Sequence, residues 1–117
     1  MIYPVETGVK FELRAGNGED IATSEVYTSR ALCLRGIESV RKCAATGKIL
    51  DQTESGKALT NPKFELYRDR RGEFRFRLKA RNGEVILSSE GYTSHAAAME
   101  GIESVIANAP AAEIEEL

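Results

Sequence analysis

Gly36-Ile37-Glu38-Ser39-Val40 recurs letter for letter as Gly101-Ile102-Glu103-Ser104-Val105. At that offset of 65, without gaps, residues 11–40 match 76–105 at 18 of 30 positions. The agreement runs through one continuous pattern, FxLxAxNGExIxxSExYTSxAxxxxGIESV, so the chain is a tandem duplication. Solenoid repeats have shorter periods, of roughly 20–50 residues, which favours a closed pseudo-twofold domain over an open array. Each copy holds only about 50 patterned residues, a size at which a core is marginal alone. The 117 residues and 42% hydrophobic content therefore suit one domain, 1–117, made of a first repeat (1–56), a linker (57–61) and a second repeat (62–117). Each repeat is expected to close its apolar face with the other's help.

Outward from the shared pattern, residues 2–5 read as a short edge strand, limited by Pro4, which has no amide proton to give. Val9, Phe11, Leu13 and Ala15 alternate with Lys10, Glu12 and Arg14, the period of a strand with one buried face. Asn17-Gly18 and Asn82-Gly83 close hairpins. A three-residue loop ending in a left-handed glycine, where a Cβ is costly, pairs Leu13 with Ile21 and Leu78 with Ile86. The same register sets Arg14 against Asp20, Lys79 against Val85 and Arg77 against Leu87. Ser29 (or Thr28) and Ser94 (or Thr93) are placed to cap the helices that follow. Their buried stripes are Cys33, Ile37, Val40 and Ala44 in one copy and Ala98, Ile102, Val105 and Ala109 in the other. Glycine inside a helix costs about 1 kcal/mol relative to alanine. Gly36 and Gly101 therefore predict a close approach by a strand or the other helix. Residues 48–53 and 112–117 read as terminal strands, and 54–62, with Gly56 and Asn61-Pro62, as the join.

The motifs NGExI, SExYTS and GIESV, each present twice, resemble the YegP-like family of small bacterial proteins over nearly the whole chain. That resemblance implies an α+β fold of two tandem β3-α-β repeats. They would share one antiparallel sheet, pack both helices on one face and exchange their C-terminal strands. It implies no activity.

The formal charge of −2 supplies no global pull toward nucleic acid or an anionic membrane. The first residues, MIYPVETGVK, lack a basic start and an apolar run, so no secretory signal is expected, and no stretch approaches membrane-spanning length. A cytoplasmic protein, monomeric because it carries both repeats, is the expectation. Cys33 and Cys43 face Ala98 and Asn108 in the other copy and read as reduced structural thiols.

Catalytic signals are weak. His95 is the single histidine and replaces Arg30, so neither a metal cluster nor a histidine base can be assembled from one chain. The chosen register turns Glu25 and Glu90 inward beside the capping residues, where each is expected to accept hydrogen bonds from helix amides. Tyr27 and Tyr92 read as half-buried anchors of the same turn. Ser39 and Ser104 have no histidine or lysine motif to activate them. No enzyme and no cofactor are expected.

The repeats diverge most over 68–81, where seven cations (Arg68, Arg70, Arg71, Arg75, Arg77, Lys79, Arg81) meet Asp69 and Glu73. Arg75, Arg77 and Lys79 form an outer row beside Tyr67, with Glu65 opposite Arg75 or Arg77. A basic sheet face with an aromatic suits nucleic acid or another anionic ligand. A solvated charged strand is the blander alternative, and it is favoured. With Val85 and Leu87 outward as well, the residues Tyr67, Arg75, Arg77, Lys79, Val85 and Leu87 have the make-up of an interface centre. The expected function is a non-enzymatic module that binds a protein through its open sheet face.

Overall fold

The computed structural model describes residues 1–14, 20–52 and 60–114. Strands β1 (Ile2–Val5), β2 (Gly8–Arg14) and β3 (Asp20–Thr23) lead into helix α1 (Arg30–Ala44) and strand β4 (Ile49–Asp51). The second repeat follows as β5 (Lys63–Arg68), β6 (Phe74–Lys79), β7 (Val85–Ser89) and α2 (His95–Asn108), then a 3-10 turn at Ala109–Ala111. The seven strands make one sheet in the order β1-β2-β3-β7-β6-β5-β4. At its centre Thr23 stands opposite its own counterpart Ser88. The pseudo-twofold axis therefore passes through the β3–β7 pair.

Both helices begin where their sequence says they should. The hydroxyls of Ser29 and Ser94 accept from the amides of Leu32 (3.2 Å) and Ala97 (3.1 Å), satisfying first-turn donors that have no partner within the helix. Cys33, Gly36, Val40, Cys43 and Ala44 of α1, and Ala98, Gly101, Ile102 and Val105 of α2, are buried against one face of the sheet. Ile37 is only half-buried, and Cys43 joins the core in its stead. Neither cysteine forms a disulfide. Each helix crosses both repeats: α1 packs on β2 but also on β5, β6 and β7, and α2 packs on β5 and β6 but also on β3. The fully buried centre comprises Phe64, Leu66, Phe76, Leu78, Leu87, Ile102, Val105 and Cys33.

The hairpin register differs from the expectation by one residue, and a β-bulge is the reason. The loop itself is the three-residue form: the Gly83 amide donates to Ala80 O, the Ala80 amide to Glu84 O, and Gly83 has φ +86°. Lys79 accordingly pairs with Val85. The register then shifts, so that Leu78 faces Leu87 and Arg77 faces Ser88, with Ile86 as the extra residue. In the first repeat Arg14 pairs with Asp20 but Leu13 with Ala22. A bulge sets two residues against one, and here both residues turn toward the helices: Ile86 and Leu87 are buried, as are Ile21 and Ala22. Asn17 and Gly18 lie outside the described residues.

The exchanged strand is present in the first repeat. β4 leaves its own repeat and runs parallel to β5, pairing Ile49 with Phe64 and Asp51 with Leu66. Among the described strands it is the one parallel pair. Asp51 also meets the first residue of α2, its Oδ2 lying 2.6 Å from His95 Nε2. Of the counterpart strand expected over 112–117, residues 112–114 carry no strand pairing and the rest lie outside the described residues.

Gly36 and Gly101 are sites of close approach: at Gly36 the neighbour is the Tyr27 side chain, whereas Gly101 meets both Tyr92 and Phe76 of strand β6, so a strand does approach there as expected. Tyr92 lies across Gly101 and Tyr27 across Gly36. Both rings are half-buried and stacked, Tyr27 on Phe11 and Tyr92 on Phe76. Burial pushes both phenols above their ordinary pKa, with Glu90 adding at Tyr92.

Candidate functional site

The helices cover one face of the sheet; alternation along the strands sends the other set of side chains to the opposite, open face. On β5 and β6 that set is Lys63, Glu65, Tyr67, Arg75, Arg77 and Lys79, with Tyr67 opposite Arg75 and Glu65 opposite Arg77. Val85 joins them across from Lys79.

Glu65 is the centre of the arrangement, at 3% exposure on a face that no described helix covers. Three cations enclose it: Arg77 Nε at 2.6 Å and Lys79 Nζ at 3.2 Å from Oε1, and Lys63 Nζ at 3.7 Å from Oε2. Burial pulls the Glu65 carboxyl upward, but the hydrogen bonds from Arg77 and Lys79 outweigh it and leave its pKa below the ordinary value. Arg77 also lies over Tyr67, its guanidinium carbon 4.5 Å from the ring centroid. Arg75 is held apart from this cluster by Asp69, Nε to Oδ2 at 2.7 Å. The other oxygen of Asp69 accepts the amides of Arg71 and Glu73 and so shapes the β5–β6 turn. Arg75 chiefly, with those amides, holds Asp69 below the usual carboxylate range.

The first repeat carries a different balance at equivalent places. Glu12 stands where Arg77 stands in the second copy, and Arg14 bridges Glu12 and Asp20. One arginine serves two carboxylates there, whereas three cations share one carboxylate in the second repeat. The open face thus differs along the sheet: cationic over β5–β6, and balanced over β2–β3, where Lys10 and Arg14 accompany Glu12 and Asp20.

Tyr67, Arg75, Arg77, Lys79 and Val85 share this face as expected, but Leu87 does not. It is fully buried beneath the helices because the bulge at Ile86 reverses its side. The same reversal corrects Glu25 and Glu90, which are exposed and cap nothing. Their inward places belong to Ser24 and Ser89, which the motif reading passed over. Ser89 Oγ accepts from the Phe76 amide at 2.9 Å and donates to Glu90 O at 2.8 Å, and Ser24 does the same with Phe11 and Glu25. Two identical Ser-Glu pairs in register were the available signal. Lys63 was also missed, since it lies outside the repeated pattern. Among the described residues no cluster of three or more His, Cys, Asp or Glu side chains is placed to hold a metal ion. No described helix is long and apolar enough to cross a membrane.

These features define a duplicated β3-α-β protein with one covered and one open sheet face. Segments 7–51 and 69–116 match the family described as Domain of unknown function (DUF1508), and the chain belongs to that family. It is 36% identical over 117 residues to the UPF0339 protein in ptx operon 5′ region of Stutzerimonas stutzeri, covering 99% of this chain and 93% of that one. With UPF0339 protein YegP of Escherichia coli O157:H7 it shares 39% over 102 residues, 85% of this chain and 77% of that one, which bears out the resemblance read from the motifs. A UPF0339 protein of Treponema denticola matches at 56% over 55 residues, 95% of its own length but 47% of this chain. Two solution NMR structures share the fold. UPF0339 protein SO3888 from Shewanella oneidensis aligns with a TM-score of 0.80 at 31% identity, covering 99% of this chain and 87% of that one. The protein of unknown function yegP from E. coli aligns at 0.81 and 32%, covering 98% and 88%.

Proposed function

We propose that this protein is a non-catalytic interaction module that binds a protein partner through the open face of its sheet, centred on Tyr67, Arg77, Lys79 and Val85. The observation that carries the reading is the buried carboxylate of Glu65 on the sheet face opposite the described helices. Its three cations and the stacked tyrosine hold their places before any partner arrives, which lowers the entropy lost on binding. Arginine, tyrosine and a neighbouring aliphatic are the residue types that dominate interface centres. Nucleic acid is the weaker reading. A π face of Tyr67 is already covered by Arg77, and over β2–β3 the mutually paired Glu12, Arg14 and Asp20 do not continue the track a phosphate backbone would follow.

The test is photo-cross-linking in cells, with the reactive residue placed at Val85, Thr23 or Ser88 on the open face, or at Ala96 or Glu103 on the helix side. Adducts to a discrete protein are expected from the open-face positions alone. Adducts from the helix positions, or from none, contradict the reading.

A further inference from the structure

We infer that Arg77 is the residue by which the open face recognises its partner: the free end of its guanidinium, with the Ser88 hydroxyl beside it, takes one carboxylate of the partner protein. This rests on the open face being the interaction surface and names what that surface reads.

A single row of side chains crosses the middle of the sheet. Glu12 pairs with Thr23, Thr23 with Ser88, Ser88 with Arg77 and Arg77 with Glu65, so the five stand side by side on five neighbouring strands. Within that row Arg77 is fixed in place while part of its donor set stays unused. Its Nε donates to Glu65 Oε1 at 2.6 Å, and its guanidinium carbon lies 4.5 Å from the Tyr67 ring centroid, so the group is held from two sides. Its two Nη groups have no hydrogen-bond partner among the described residues, and 31% of the side chain remains exposed. The half-buried hydroxyls of Ser88 and Thr23 are likewise without a partner among the described residues. Ser24 and Ser89 on the other face, by contrast, both accept and donate. The free end of a guanidinium presents two parallel N–H groups, which a carboxylate meets with both of its oxygens.

Charge favours the same occupant. Arg77 and Lys79 both lie on oxygen Oε1 of Glu65, at 2.6 and 3.2 Å, so these three side chains together keep one positive charge. That balance holds without Lys63, which also interacts elsewhere. A group already fixed in place loses little freedom when the partner arrives.

The row also limits how the partner sits. Across the pseudo-twofold axis Glu12 replaces Arg77 and Thr23 replaces Ser88. A carboxylate is therefore received on one side of the axis and repelled on the other, which sets a single orientation and one partner per chain. A nucleic-acid backbone would need a seat for each successive phosphate, and the next arginine along β6, Arg75, is held by Asp69.

The experiment is an NMR titration of the whole chain with an oligoglutamate peptide, with oligoglutamine and oligo(dT) of matched length as comparison probes. Oligoglutamate should bind alone, weaken with added salt, and shift the Arg77 Nε–H resonance and the Ser88 amide more than any signal of β2. Arg77→Lys keeps the charge beside Glu65 but removes the fork, and should weaken binding about tenfold. Ser88→Ala should weaken it roughly threefold, and Lys42→Gln on α1 should leave it unchanged. The wild-type shift map and Ser88→Ala carry the test should Arg77→Lys unfold the chain. Full affinity in Arg77→Lys, largest shifts outside β6 and β7, equal binding of oligoglutamine, tighter binding of oligo(dT), or self-association lost in Arg77→Lys would overturn the inference. If oligoglutamate fails while Val85 still cross-links to a protein, the Arg77 inference falls and the open-face reading stands. Loss of both removes both.

Discussion

At Gly36 the three atoms nearest to an added Cβ all belong to Tyr27. The ring is stacked on Phe11, centroids 6.1 Å apart, so it cannot swing aside without unpacking the core. Helix propensity alone would make Gly36→Ala stabilising by about 1 kcal/mol, but overpacking of this kind costs roughly 1–3 kcal/mol. Net destabilisation is expected in a urea melt. In a Tyr27→Ala background the same substitution should turn neutral or stabilising, and an unchanged penalty there would refute the steric account. Glu65 gives a second residue-level test. Its folded pKa lies below its ordinary value of 4.5, so its contribution to stability is present above that pH and lost as pH falls through the folded value. Breaking a buried ion pair costs up to about 5 kcal/mol, but Arg77 and Lys79 keep access to solvent, so Glu65→Gln should cost only roughly 1–3 kcal/mol at neutral pH. Its stability should also fall less steeply in acid than that of the wild type. Parallel acid profiles for the two proteins would assign the acid sensitivity to other carboxylates such as Asp69.

At the scale of elements, one extra residue per hairpin decides most of what the sequence left hidden. The caps at Ser29 and Ser94, the glycine turn at 83 and most of the helix stripes could be read, because each rests on a local pattern repeated in both copies, whereas the exchange of β4 was implied by the family resemblance. The bulges could not. Alternation carries no mark of an inserted residue, yet a slip of one moves every later side chain to the opposite face. That single cause misplaced Leu87, Glu25 and Glu90 together and concealed Ser24 and Ser89. The bulge needs those serines, since each hydroxyl satisfies a strand amide that the shifted partner strand does not reach. Ser89→Ala leaves the buried Phe76 N–H without an acceptor and should cost about 1–3 kcal/mol, more than the ~1 kcal/mol expected for removing the Ser94 cap. Ser89→Thr should recover most of the loss. Urea midpoints for the three variants decide it; a Ser89→Ala penalty no larger than that of Ser94→Ala would mean the hydroxyl does not close the bulge.

For the whole molecule, the open face exists because two repeats make one structure. α1 covers strands of the second repeat, α2 reaches β3 of the first, and β4 completes the sheet beside β5. Neither repeat can cover its apolar face with its own helix alone. Glu65 illustrates the dependence: its strand is an inner strand only because β4 of the other repeat lies along it, Leu50 opposite Glu65. The open face, and any binding that uses it, therefore requires both repeats folded on each other. Native-state hydrogen exchange on the full chain measures this directly. The slowest amides of β2 and β3 and those of β6 and β7 should open with the same free energy and the same denaturant dependence, as one cooperative unit. Two separate opening free energies, one for each repeat, would contradict the account.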